Sequence, residues 1–445
     1  MRSVREEVLV LLIAGVVCAM SLPATGYTWQ TEIVGDTIGG TPIQVEIIFP
    51  GGAQAPGLIE RGVGSGTYPV RHWSQQGGVW ASTTVTPESD GLAGFAYHPD
   101  TGVPYVAYAQ SGNVYVAHND GGGWTSEEAF TGDVSSCSLA FNPTSKRPAV
   151  AVAGSGTLSY AWRDASGWQS EPILANHGGF SFPSLAFDPV TGHACMTYSR
   201  LFDGVEFASR SASPWDVTRI ETTTFPKQTE LRFIPGTSDL AIEYLTGWGG
   251  NVRVVTRQGG AWGTPEDVTS GPWHESGMDV AGDGTVYVAW GQGDWGSMGL
   301  YMRERDWVTG NWSAPELITT DFPHIMNCAL DVNENQLGQR EIHIAVDGWY
   351  ICHAWTGPKA GDANLDECVD GLDYVVWSSN YKTGTTWGQG DFTGDQIVDG
   401  LDYIVWSTNY EGSCPGYAPA PEPTALLVLG LGGLPLLCRK RGCGA

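Results

Sequence analysis

Two short acidic loops hold the residues best suited to chemistry. In each, oxygen-bearing side chains stand at positions 1, 3, 5, 9 and 12, and a backbone carbonyl falls at position 7. The first offers Asp362, Asn364, Asp366, the Cys368 carbonyl, Asp370 and Asp373. The second, 29 residues on, offers Asp391, Thr393, Asp395, the Ile397 carbonyl, Asp399 and Asp402. Calcium, a hard cation taking roughly 6–8 oxygens, needs this donor set on this spacing. From Gly361 to Glu411 ten acidic residues face one base, Lys382. That net charge of −9 repels itself until two calcium ions supply +4. Calcium is therefore the expected cofactor, with folding of the segment coupled to its binding.

A second set of polar residues lies in the loops of the larger N-terminal region: Asp36, Asp90, Asp133, His177, Lys227, His274, Glu275 and His324. Imidazoles and carboxylates together serve acid–base work, or hold a cation or sugar hydroxyls. Solvated loop polarity is the competing reading. If the region is catalytic, His274 and Glu275 in Pro272-Trp-His-Glu-Ser276 are the expected acid and base, and two carboxylates at one mouth suit glycoside chemistry. Trp248, Trp273 and Trp295 sit near Gly-rich loops, where an indole either stacks on a sugar ring or wedges into the core. No GxSxG, HExxH or phosphate loop is present.

The elements that position these groups repeat. Phe95, Phe141, Phe187 and Phe233 open similar turns at a constant step of 46, and Phe49 extends the series backwards. Each repeat runs through alternating apolar strands and a Gly-rich turn to a tryptophan: Trp80, Trp124, Trp168, Trp215, Trp262, Trp312. Four short strands per ~40–50-residue repeat predict an all-β propeller over residues 27–356. The last repeat ends at Trp355 without its outer strand. Trp29-Gln-Thr-Glu-Ile-Val34 matches the outer strands beginning at Trp124 and Trp168, so strand exchange between the chain ends predicts closure with about seven blades, six or eight being the alternatives that a diverged first repeat leaves open. The turns Asn119-Asp-Gly-Gly-Gly-Trp124 and Arg163-Asp-Ala-Ser-Gly-Trp168 resemble degenerate Asp-boxes of sialidase-like propellers. That likeness implies a turn cap and an inter-blade wedge but no activity; the arginine trio of a sialidase-like site has no counterpart.

Each acidic loop runs into a short apolar helix, Tyr374–Tyr381 or Tyr403–Tyr410. Loop and helix in tandem over residues 361–412 resemble a type I dockerin. The resemblance implies a small α-helical calcium-binding module, EF-hand-like in its loops, that plugs into a cohesin-type domain of a partner. Glu367 and Gln396 replace the usual glycine at position 6, and Thr393 stands where Asn or Asp is commoner, so the second loop should bind calcium more weakly.

The chain ends predict export. Arg2 and Arg5, the apolar run Val8–Met20 and small residues around Ala24 form a signal peptide over residues 1–26. After a Pro-rich linker at 413–420, Pro421-Glu422-Pro423 precedes an apolar stretch and Arg439-Lys-Arg441. Residues 421–445 resemble a PEP-CTERM sorting signal, implying processing by an exosortase-type enzyme and an extracellular or outer-envelope location. Six cysteines remain between these ends. Cys368 and Cys414 bracket the calcium module and could staple it, and Cys328 and Cys352 could bridge neighbouring strands; free buried thiols are the alternative reading. With 48 acidic and 22 basic residues, the composition argues against nucleic acid as a partner. The combined expectation is a calcium-dependent docking protein whose propeller binds carbohydrate or protein. The alternative is a polysaccharide-degrading hydrolase or lyase carried by the module; a structural envelope component is the third reading.

Overall fold

The computed structural model describes residues 27–411 except 28, 37–42, 49–55, 63–67, 77–78, 176–178, 201–202, 212–213, 223–225, 248–249, 270, 272–275, 295–296, 323, 335–339, 358, 365–367 and 394–396. Seven antiparallel sheets follow one another along the chain. Blade one is built from Ile43–Ile48, Gly57–Gly62, Tyr68–Gln76 and Val79–Ser89. Blade two uses Gly94–Tyr97, Pro104–Gln110, Asn113–Asn119 and Trp124–Thr131. Blade three uses Ser136–Phe141, Pro148–Ala153, Thr157–Asp164 and Gly167–Ala175. Phe180–Phe187, Ala194–Arg200, Gly204–Ser209 and Asp216–Glu221 form blade four. Blade five has Lys227–Phe233, Leu240–Leu245, Val252–Gln258 and an outer edge split into Ala261–Trp262 and Glu266–Thr269. Blade six has Ser276–Val280, Val286–Asp294, Ser297–Arg305 and Glu316–Thr319. Blade seven combines Asn327–Glu334, Arg340–Asp347 and Tyr350–Trp355 with the N-terminal strand Gln30–Asp36.

The closure expected from the sequence is present. Gln30–Asp36 pairs antiparallel with Tyr350–Trp355, from Gln30 opposite Trp355 to Asp36 opposite Tyr350. Trp29 Nε1 donates to Glu316 of blade six at 2.8 Å, and Trp80 Nε1 of blade one donates to Glu32 on the closing strand at 2.7 Å. Trp215 reaches back to Glu171 and Trp312 to Glu266 in the same way. These four outer tryptophans thus join blades through a glutamate of the preceding one, whereas Trp124 Nε1 donates to Thr83 of blade one.

There is no single central core. Seven apolar clusters fill the seven seams between blades, as where Ala107 and Val116 of blade two meet Leu139 and Val150 of blade three. Second strands are buried on both faces, as in Pro148–Ala153, which is apolar throughout, and Leu240–Leu245, which buries Glu243 among its apolar residues. At the axis the inner strands approach closely: a Cβ on Gly94 would lie 2.6 Å from the Leu139 nitrogen. The turns resembling Asp-boxes do cap themselves, Asn119 Oδ1 accepting from the Gly121 and Gly123 nitrogens and Asp164 Oδ1 from Ser166.

Of the two readings of Cys328 and Cys352 the structure gives the second: no bridge joins them, and both are free, buried thiols, as are Cys137 and Cys195. Cys328 and Cys352 oppose the same residue, Val346, from either side. Two strand spacings, about 9.5 Å, exceed the reach of a disulfide.

Closure also carries a buried imidazole pair. His343 and His353 share a 2.8 Å hydrogen bond, and His353 Nδ1 lies 3.0 Å from Glu32 of the closing strand. Burial first, then the neighbouring His353, hold the His343 pKa well below the ordinary value. A depressed histidine contributes stability that is fully present above its unfolded pKa of about 6.5 and is lost as pH falls below it. Thermal scans from pH 7.5 to 5 should therefore show a falling Tm, and His343→Gln should flatten that slope. Parallel slopes for the two proteins would refute the assignment.

Candidate functional site

In each blade the first strand starts, and the second-to-third turn lies, at the same end of the ring; this is the loop face. The polar loop residues expected as a ligand-binding ring divide there by role. Asp90 Oδ2 accepts from the Ser111 nitrogen at 2.8 Å, and Asp133 Oδ2 from the Ser155 nitrogen at 2.6 Å, so both carboxylates fasten second-to-third turns. Asp36 ends the closing strand, exposed, and half-buried Lys227 opens blade five. His177, His274, Glu275, Trp248, Trp273 and Trp295 lie outside the described residues.

His324 is buried, and its ring lies under the indole of Trp349, with centroids 5.8 Å apart and planes 11° from parallel. Burial lowers the His324 pKa and favours the neutral ring. Trp349 itself is 57% exposed. It sits in the turn Asp347-Gly-Trp-Tyr350, where a buried imidazole supports one face of the indole and its surface stays open. Sequence reasoning missed Trp349. The available signal was positional: Phe202, Trp248 and Trp295, outside the described residues, fall between the second and third strands of blades four to six.

The axis encloses a cavity of about 620 Å³ lined by first strands. Among the described residues five charged side chains line it: Glu46, Glu230, Arg232, Asp279 and Asp331. Several also hold the ring together. Glu46 Oε2 accepts from the Phe95 nitrogen at 3.0 Å, Glu230 Oε2 from Met278 at 2.7 Å, and Asp279 Oδ2 from Val332 at 2.8 Å. Ser138 and Ser184 hold Leu185 and Leu231 likewise. First strands of adjacent blades leave inward-facing N–H groups without a continuous ladder, and a side chain one blade back supplies the acceptor. Arg232 binds both Glu230 and, at 3.0 Å, Asp279. Burial pushes the Glu46 carboxyl up to about 8 despite its hydrogen bond from Phe95.

The acidic loops open two helices, α1 (Gly371–Ser379) and α2 (Gly400–Asn409), each about three residues earlier than the apolar pattern predicts. The reason is a capping box. Asp370 and Asp399 cap the helices, while Asp373 and Asp402 accept from the cap nitrogens at 2.8 Å. The module is cross-braced: Trp377 Nε1 of α1 donates to the Asp399 carbonyl, and Trp406 Nε1 of α2 to the Asp370 carbonyl, both at 2.9 Å. Asp362, Asp373, Asp391 and Asp402 are at most 2% exposed. Asp402 Oδ1 takes the Thr393 hydroxyl at 3.0 Å, and Thr393 lies 3.4 Å from Asp391 Oδ1, so positions 1, 3 and 12 of the second loop converge. Lys359, the nearby base, is paired with Glu411. Buried carboxylates gathered on this spacing fit a calcium ion. Among the described residues no three acidic, His or Cys side chains form a complete metal cluster; Asp366 and Asp395, the position-5 donors, lie outside them. Cys368 is disulfide-bonded, and its partner is not among the described residues, where Cys414 is also absent. Six apolar side chains stay exposed on the helices: Leu372, Tyr374 and Val375 on α1, and Leu401, Tyr403 and Ile404 at equivalent places on α2.

No family model and no curated protein matches the chain. Solved structures similar to it include AofleA from Arthrobotrys oligospora, at 12% identity and TM-score 0.45 over 66% of this chain and 90% of that one. Another is Aleuria aurantia lectin, titled a six-bladed β-propeller with a novel fucose recognition mode, at 13% identity and TM-score 0.45 over 65% and 99%. SapL1 lectin in complex with alpha methyl fucoside matches at 16% identity and TM-score 0.45 over 61% and 94%. The seven-bladed ring of this chain is established by its own strand pairing and has one blade more than the Aleuria aurantia lectin.

Proposed function

We propose that this is an exported, calcium-dependent docking protein whose propeller binds carbohydrate on its loop face. The observation that carries the binding reading is Trp349, an exposed indole stacked on buried His324. A sugar ring presents an apolar C–H face that packs on such a surface, and a pre-stacked indole loses little freedom on binding. The calcium module supplies the docking. Its exposed apolar triplets on α1 and α2 favour a protein partner of cohesin type, with calcium holding the loops that orient both helices. Cys414 as the partner of Cys368, and processing at Pro421-Glu422-Pro423 by an exosortase-type enzyme, complete the proposal.

Retention on a panel of immobilised polysaccharides tests it. Trp349→Ala should weaken retention about tenfold, the loss of one aromatic anchor worth roughly 1–2 kcal/mol, with Tm unchanged. Equal retention of variant and wild type would refute the platform, and release of soluble product would transfer the case to the enzyme reading.

A further inference from the structure

Seven blades end in seven outer strands, and a strand at a sheet edge shows a row of N–H and C=O groups that another chain can pair with. Six of the seven are guarded. The edge of blade five is broken into Ala261–Trp262 and Glu266–Thr269, and that of blade six runs only from Glu316 to Thr319. Blade two carries Glu127 and Glu128 at the middle of its edge, and blade three carries Glu171 followed by Pro172. Blade four has three charges in six residues, and the closing strand Gln30–Asp36 has Glu32 and a register shift at Ile33/Gly35. Blade one differs. Its outer strand, Val79–Ser89, is eleven residues long, and from Val79 to Thr84 it has no charge and no proline. Register shifts bend it only beyond Thr84. Among the described residues its far side pairs with no strand.

Ala81, Ser82, Thr83 and Thr84 are all exposed, so both faces of this run stand clear of the ring. The strand is nevertheless held in place. Trp80 Nε1 donates to Glu32 on one side, and Thr83 Oγ1 accepts from Trp124 Nε1 at 3.0 Å on the other. An edge fixed in this way loses little freedom on pairing. Charge narrows the choice of occupant. The chain carries a formal −26, so two copies repel wherever carboxylates come together. At this edge they do not. About a two-fold axis at Ser82, that serine meets its own copy, Ala81 opposes Thr83 and Trp80 opposes Thr84, and no like charges face each other. The same operation about Glu127 of blade two sets glutamate against glutamate.

We propose that Val79–Thr84 is a docking edge for a second copy of this chain. The two strands pair antiparallel, so that blade one of each protomer joins one continuous sheet. The contact is isologous, each protomer giving and receiving the same backbone groups. A six-residue ladder is small beside the roughly 1,200–2,000 Å² of a stable interface, so the dimer forms with a Kd on the order of 10–100 μM. Salt screens the remaining acidic surface and tightens the dimer.

Sedimentation equilibrium on the full chain tests this, from about 1 to 300 μM protein and at about 0.02 and 0.3 M salt. The wild type should pass from monomer to dimer, and associate at least about threefold more tightly at the higher salt. Ser82→Lys, which sets two ammonium groups against each other at the axis, should stay monomeric with its Tm unchanged. Ser82→Ala, and Ser126→Lys on the edge of blade two, should dimerise as the wild type does. A wild type that stays monomeric at about 300 μM, a dimer indifferent to Ser82→Lys, equal loss in Ser82→Lys and Ser126→Lys, or weaker association at the higher salt would each overturn the proposal. None of these results bears on the loop-face reading, which stands or falls on polysaccharide retention by Trp349→Ala.

Discussion

Deleting residues 27–36 should cost the ring most of its stability. The deletion removes the outer strand of blade seven, with a ladder running from Gln30 to Asp36. It also removes the Trp29–Glu316 bond, the acceptor of Trp80 Nε1, and Val34, buried in the seam between blades seven and one. At about 1 kcal/mol net per hydrogen bond and about 2 kcal/mol for a buried valine, the loss is on the order of 5–10 kcal/mol. That equals the whole stability of many domains. Near-ultraviolet circular dichroism should show a Tm at least about 10 °C lower, or no cooperative transition at all. A peptide of residues 27–36 added in trans should restore part of it by mass action. A deletion variant that melts with the wild type would eliminate strand exchange as the closing device.

Chelation should unfold residues 361–411 while the propeller keeps its own transition. Four aspartates at most 2% exposed concentrate negative charge inside the folded module, and a bound cation would offset it. Calcium at or below about 1 mM should restore the helical signal in two steps, the second loop filling last because Thr393 replaces a stronger donor. Asp362→Ala should remove the tighter step and Asp391→Ala the weaker one; the double variant should show no calcium response. Absence of binding heat on the isolated segment at millimolar calcium would end the calcium reading, and the docking proposal with it.

What the sequence disclosed follows from how often each solution recurs. A seam between blades is solved seven times with similar residues, so the period shows without alignment to anything else. The closing strand was legible because Trp29 and Glu32 repeat the spacing of Trp168 and Glu171, and the structure gives both glutamates the same partner type, a tryptophan of the next blade. The axial cavity was not legible. Glu46, Glu230, Asp279 and Asp331 each look like an ordinary polar residue in an alternating strand, and only ring closure brings together positions up to 285 apart. His324 was singled out for its loop, but its surroundings depend on Trp349, which reaches it from another turn. The helix starts were misplaced because the pattern marks where apolar residues begin, whereas the capping aspartates fix where backbone dihedrals become helical.

The direction of the last propeller strand sets how the molecule is held. Tyr350–Trp355 begins beside Trp349 at the loop face and runs about 17 Å to the opposite rim, where the chain leaves for the calcium module. The Gln30 side chain clasps the Gly357 carbonyl at that exit. Under the proposed docking, a partner gripping the module would tether the ring by its rear rim. The proposed platform end would then face away from the point of attachment, and no hinge in the blades would be needed to turn it outward.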